Sequence, residues 1–199
     1  ETGLVKKDEP ETRIRMDVPS GHITTFAQVE DGNVISARFI NVPSFVELLD
    51  AQIEITNHGK IKYDLAFGGA YYAIVNADSI DLEFEPENVN EIIDIGMDIK
   101  RSIMNKINII HPTEPEMNFL YGTIFTSKSK NKSNHSRNVS VFANGEVDRS
   151  PTGTGVSARA AVHYAREEIK LGEAVTIESI IGSTFTVSVI EETKIGQYN

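Results

Sequence analysis

Short β-prone runs separated by tight-turn signals recur along most of this chain, and only two stretches carry a helical spacing. That cadence constrains the fold more than any other feature. Residues 13–18 alternate as Arg-Ile-Arg-Met-Asp-Val, the period of two that a strand requires. Pro-Ser-Gly at 19–21 is a turn, and the runs 22–29 and 34–39 flank Asp31-Gly32-Asn33, a hairpin signal. The runs 51–56 and 60–67 flank Asn57-His58-Gly59 in the same way, and 67–75 continues as a buried strand kinked at its glycine pair. Residues 117–126, 138–142, 174–181 and 184–189 complete the strands. Strands joined mainly by short turns, with two helices among them, predict an α+β fold built on antiparallel sheet rather than a parallel wound sheet. Pro43 biases its neighbour away from helix and marks a boundary, dividing the chain into 1–42 and 43–199.

The first helix is announced by Asn88 with Glu91, an N-cap and its capping-box acid. Ile92, Gly96, Ile99, Ile103 and Ile107 then fall on one stripe. The second helix is expected over 154–170, with Val156, Ala160 and Tyr164 on one side and Gly172 closing it. Between them, the polar and basic run 127–137 reads as an exposed loop.

Composition excludes several classes of function. The net charge of -10 over 199 residues opposes nucleic-acid binding, which needs a basic face to neutralise phosphates. No apolar run approaches the ~18 residues of a membrane span. No signal-peptide pattern is present, so the expected location is the cytoplasm. The chain has no cysteine, which removes disulfides, thiolate chemistry and Cys-ligated metals from its own repertoire. The histidines at 22, 58, 111, 135 and 163 show no metal-ligand spacing, so no metal site is expected.

Chemistry concentrates at residues 148–159, Asp-Arg-Ser-Pro-Thr-Gly-Thr-Gly-Val-Ser-Ala-Arg. The first N–H groups of a helix have no intrahelical acceptor and sit at the positive end of its dipole. Glycines let an anion approach that backbone. Thr152, Gly153, Thr154 and Gly155 therefore form a candidate cradle for a carboxylate or phosphate, with Asp148 beside it. Three readings fit. Gly-Thr-Gly-Val-Ser-Ala at 153–158 matches the dinucleotide pattern, but Arg-Ser-Pro-Thr intervenes after the strand and the surroundings read as hairpins. A carboxylate beside a helix N-terminus would hold a zwitterionic amino acid by both ends. Alternatively, Asp148 or Ser150 merely caps a helix that Pro151 starts. Ser150 and Thr152 are also hydroxyl nucleophile candidates, but no G-x-S-x-G elbow surrounds them.

The same stretch resembles the second active-site motif of the proline racemase family, which includes proline racemases, 4-hydroxyproline 2-epimerases and trans-3-hydroxy-L-proline dehydratases. Asn-Val-Pro-Ser-Phe at 41–45, Phe-Gly-Gly-Ala-Tyr-Tyr-Ala-Ile-Val at 67–75 and Glu-Ser-Ile-Ile-Gly-Ser-Thr-Phe at 178–185 also resemble family blocks, in the family's order. The resemblance implies a diaminopimelate epimerase-like α+β fold: two similar halves, each a curled, mostly antiparallel sheet around a central helix, with substrate between them. It further implies a small imino-acid substrate, a homodimer and no cofactor. Residues 1–42 would be the remaining part of the N-terminal half and 43–199 the second half. By the resemblance, Asp148 receives the substrate's ring nitrogen, the amides of Gly153 and Thr154 hold its carboxylate, and Phe142 lines the ring.

In racemases and epimerases of this family each half presents a cysteine at the N-terminus of its central helix. Here the second cysteine's position holds Thr152. An alcohol cannot replace a thiolate base, so the resemblance points to the dehydratase branch. There the remaining cysteine takes the Cα proton and the 3-hydroxyl leaves as water. The family's first motif, a cysteine followed by Gly-His, is placed upstream of a block resembling Leu-Val-Lys-Lys at 4–7 and has no counterpart in this sequence. The expectation is that residues 1–199 lack the base, lack the family's C-terminal strands and are inactive alone.

Overall fold

A computed structural model describes residues 3–56 and 58–198. The backbone divides into two compact units, Glu1–Val42 and Pro43–Asn199. In the first, β1 (Glu11–Val18), β2 (Gly21–Glu30) and β3 (Asn33–Ile40) form a three-stranded antiparallel sheet. Asp31 and Gly32 join β2 to β3 with φ of 49° and 72°. Two consecutive positive-φ residues are the requirement of a type I′ hairpin turn, whose twist matches that of the strands.

The second unit is a sheet in the order β11-β10-β8-β7-β6-β5-β4, with β9 paired to β8. Its strands are β4 (Phe45–Ile55), β5 (Gly59–Phe67), β6 (Tyr71–Asn76), β7 (Leu120–Ser127), β8 (Ser136–Phe142), β9 (Glu146–Val147), β10 (Ala174–Glu178) and β11 (Thr184–Ser188). Most pairs are antiparallel, as the turn signals require. Two are parallel, β6 with β7 and β8 with β10. Parallel neighbours need a long crossover. Helix α1 (Val89–Lys106) lies in the first crossover and α2 (Gly153–Ala165) in the second.

The two helices lie on opposite faces of the sheet. On β7, the Thr123 hydroxyl donates to the Gly96 carbonyl of α1, while the next residue, Ile124, lies against Gly155 of α2. Successive strand residues point to opposite faces. Helix α2 touches β4, β5 and β6 and also β11, so both edges of the sheet reach it and the sheet curls around it. The fold is α+β, as expected.

Several local expectations differ from the structure. Residues 68–70 are not a kink in one strand but the turn between β5 and β6, which pair Phe67 with Tyr71. Asn88 does not cap α1 with its side chain. Residues Pro86–Asn88 already form a 3-10 turn, and Asn88 has φ -94° and ψ 6° instead of the extended backbone a cap needs. Ile92, Gly96, Ile99 and Ile103 are buried along α1, but Ile107 lies past its end in extended conformation. Helix α2 ends at Ala165, well before Gly172. Glu167 N–H donates to the Tyr164 carbonyl and Glu168 N–H to that of His163, the two bonds of a Schellman ending. Glu167 takes the left-handed position at φ 59°. Arg137, at the end of the supposed exposed loop, is buried and donates to the carbonyls of Phe84, Ser179 and Ile180. The hairpin turn expected at 57–59 involves Asn57, which lies outside the described residues.

Candidate active site

The N-terminus of α2 is reached from β9 through residues 148–152. Asp148 N–H donates to the Ser140 carbonyl, which extends the β8–β9 pairing and delivers the carboxylate to the start of the helix. Asp148 Oδ1 accepts from Ser150 N–H at 2.8 Å, and Oδ2 accepts from the Thr152 hydroxyl at 2.8 Å. Ser150 Oγ in turn accepts from Thr152 N–H at 3.0 Å. Asp148 and Ser150 thus shape the loop, and neither is the N-cap. That position belongs to Thr152, whose side chain makes no capping bond.

Thr152 is 7 % exposed and has φ 65° and ψ 108°. A positive φ is rare for a β-branched residue and costs about 1–3 kcal/mol, which the surrounding contacts must offset. The first-turn amides of Gly153 and Thr154 follow it, where helix N–H groups lack intrahelical acceptors. Gly155, also in the first turn, has a packing role as well. It is buried, and a Cβ there would lie 2.8 Å from Ile124 Cδ1 and 3.1 Å from Thr152 Cβ, so this glycine serves close packing.

An aromatic wall adjoins the helix start. Phe142 stacks on Tyr121 with ring centroids 5.3 Å apart. Tyr121 meets Tyr72 edge-on at 5.9 Å. The Tyr72 hydroxyl is 2.8 Å from Thr154 Oγ1. Burial pushes the Tyr72 phenol above its usual range; the Thr154 bond lowers it in part, and the charges of Tyr121 and Asp148 add to the rise. The structure therefore brings Asp148, Thr152, Gly153, Thr154 and Phe142 to one corner of the sheet, and adds Tyr72 and Tyr121.

Gly68 was legible only as a strand kink. A Cβ on it would lie 2.2 Å from the Thr154 carbonyl and 2.3 Å from Ala158 N, so the β5–β6 turn rests directly on the first turns of α2. No local pattern marks that contact, because it joins segments more than 80 residues apart. The hint available was that the glycine pair lies in the run 67–75, which resembles a family block.

Behind the site lies a polar row. Ser136, Asn138, Ser140 and Phe142 alternate along the α2-facing side of β8, and the first three are buried. Arg159, 3 % exposed, donates to Asn138 Oδ1 at 3.1 Å and to Ser136 Oγ at 2.6 Å. Its Nη2 is also 3.2 Å from His163 Nε2. A guanidinium only donates, so that imidazole nitrogen accepts. His163 Nδ1 then carries the proton and donates to Glu168 Oε2 at 2.5 Å. Burial lowers the Arg159 guanidinium to about 10, with Glu168 opposing the shift.

A family model described as proline racemase matches residues 1–199. The chain is 46% identical over 191 residues to a trans-3-hydroxy-L-proline dehydratase of Colwellia psychrerythraea, covering 96% of this chain and 54% of the relative. It is 35% identical over 199 residues to a proline racemase of Clostridioides difficile, covering 100% and 59%. Among solved structures, a hydroxyproline epimerase from Agrobacterium vitis with bound trans-4-hydroxy-L-proline aligns with a TM-score of 0.92 at 36% identity, covering 98% of this chain and 56% of that one. The chain spans a little over half the length of these relatives. With a family-model match along its entire length and relatives of 35–46% identity along nearly all of it, the chain belongs to the proline racemase family.

Proposed function

We propose that the parent protein is a cofactor-free lyase that dehydrates trans-3-hydroxy-L-proline to pyrroline-2-carboxylate. The observation that carries this reading is the group at Thr152. Where racemases and epimerases of the family hold a second thiol, this chain holds a buried hydroxyl that donates to Asp148. An alcohol bound to a carboxylate cannot serve as the second Cα acid or base near neutral pH. Loss of water needs only one.

In this reading Asp148 takes the ring ammonium. Two of its roughly four lone-pair sites are used within the loop, which leaves acceptor capacity for the substrate. The Gly153 and Thr154 amides hold the substrate carboxylate at the positive end of α2. Phe142, backed by Tyr121, lines the ring. The Thr152 donor is committed to Asp148, so its free lone pairs accept from the substrate's 3-hydroxyl and orient it. The Cα proton passes to a thiolate supplied from outside residues 1–199, the C3–O bond breaks, and proton and hydroxyl together leave as water. Residues 1–42 are then the remaining part of the N-terminal half, and the protein acts as a cytoplasmic homodimer.

The test is turnover by the full-length protein. Pyrroline-2-carboxylate should form from trans-3-hydroxy-L-proline, with no D-isomer from L-proline. Fast racemisation without dehydration would overturn the reading. Asp148→Ala should cost about 3 kcal/mol in substrate binding, roughly 150-fold, because it leaves the ammonium unpaired. A second reading, hydroxyproline epimerase or proline racemase, draws on the relatives so named at 35% and 36% identity. It predicts solvent deuterium entering Cα with inversion.

A further inference from the structure

We propose that Asn138 and Arg159 are positioning residues for this site, holding the Pro151 carbonyl from behind so that Thr152 stays on Asp148. The inference rests on the reading of the α2 N-terminus as the substrate site.

Asn138 is 0 % exposed and sits between two groups of opposite character. Arg159 can only donate and faces Oδ1. The Pro151 carbonyl can only accept, and Asn138 Nδ2 donates to it at 3.1 Å. The two partners together fix the orientation of the amide. The carbonyl they hold belongs to the Pro151–Thr152 peptide, immediately before the residue with φ 65°. Rotation of that peptide would relieve Thr152, carry its hydroxyl off Asp148 and re-aim the Gly153 and Thr154 amides. The Asn138 bond opposes that rotation.

Arg159 is an expensive way to fill a core. Its neighbours are an amide oxygen, a serine and an imidazole, and its carboxylate, Glu168, is reached only through His163. An apolar side chain of similar volume would pack without the desolvation cost. Strand positions that face a buried helix are ordinarily apolar, yet β8 places Ser136 and Asn138 there to receive this guanidinium. The cost is offset functionally if the charge polarises Asn138 and strengthens its grip on the strained peptide.

The decisive variant is Asn138→Asp in the full-length protein. It preserves volume and pairs with Arg159, but it cannot donate to the Pro151 carbonyl. Amide hydrogen exchange at Ser150 and Thr152 should quicken roughly ten-fold or more, while residues 158–162 of α2 keep their protection. The kcat per folded molecule should fall about 100-fold, the scale of an ångström's misplacement. Arg159→Lys, which keeps a donor for Asn138, should retain clearly more activity than Arg159→Met, and Asn138→Ala serves if a charged variant fails to fold. Unchanged exchange at Ser150 and Thr152 would overturn the proposal, as would quickened exchange with kcat intact. Wild-type protein that turns over no proline derivative would instead sink the proposed function, and the two failures are distinct because exchange is read without substrate.

Discussion

The Thr152 hydroxyl donates to Asp148 Oδ2 across 2.8 Å, and Thr152 holds this position at φ 65°. A residue that the sequence offered as a reactive hydroxyl is thus the clamp of a strained turn. Thr152→Val keeps the shape and removes the donor. The expected loss is about 1 kcal/mol of stability, seen in chemical denaturation, because one carboxylate oxygen loses its partner. Turnover by the full-length protein should fall further than stability does, since the freed carboxylate no longer has a fixed direction.

Gly68 touches backbone atoms of α2 that cannot swing aside, the Thr154 carbonyl and Ala158 N. Gly68→Ala should therefore destabilise by about 3 kcal/mol, at the upper end for overpacking. A shift in the urea midpoint with unchanged slope would check it. If the variant matches wild type, the β5–β6 turn does not rest on the helix as described.

The exposed Glu167 occupies the left-handed position of the α2 ending. Glycine meets no Cβ penalty there. Glu167→Gly should raise stability by about 1 kcal/mol, read as a higher melting temperature. A loss of stability would mean that the Glu167 side chain makes contacts that outweigh its backbone cost.

Three imidazoles set the acid response: His111 is buried, His163 is half-buried, and the ring of His135 is partly desolvated against His163 although the residue is exposed. Burial holds His111, His135 and His163 below the usual histidine value; Arg159 adds to this at His135 and His163, and Glu168 opposes it at both. Folded-state values below the unfolded one mean that the unfolded chain binds more protons as pH falls. Their contribution is complete above the unfolded histidine value of about 6.5 and is lost as pH drops through it toward the folded values. Urea midpoints should fall between about pH 7.5 and 5.5, and His163→Gln should flatten part of that slope.

Much of the architecture was legible because it depends on local chemistry. The Asp31-Gly32 turn was readable since only such residues accept two positive φ angles in succession. The buried stripe of α1 was readable from the spacing of Ile92, Gly96, Ile99 and Ile103. The end of α2 was misjudged because Glu167, a poor candidate by propensity, carries the left-handed turn that Gly172 was expected to supply. The capping box failed because a 3-10 turn already committed the Asn88 backbone.

The sequence alone determined the site's ingredients. The order of residues 148–155 places a carboxylate, a hydroxyl and free helix amides within one loop and one turn, and nearness along the chain guarantees that they meet. It also determined that no thiol of this chain stands among them. Only the tertiary structure decided how these groups are held and what surrounds them. Tyr72 on Thr154, Gly68 under the helix, and Asn138 and Arg159 behind Pro151 are contacts between distant segments. They exist because the sheet curls around α2, and burial within that curl makes it costly to leave the polar groups of Asn138 and Arg159 unpaired.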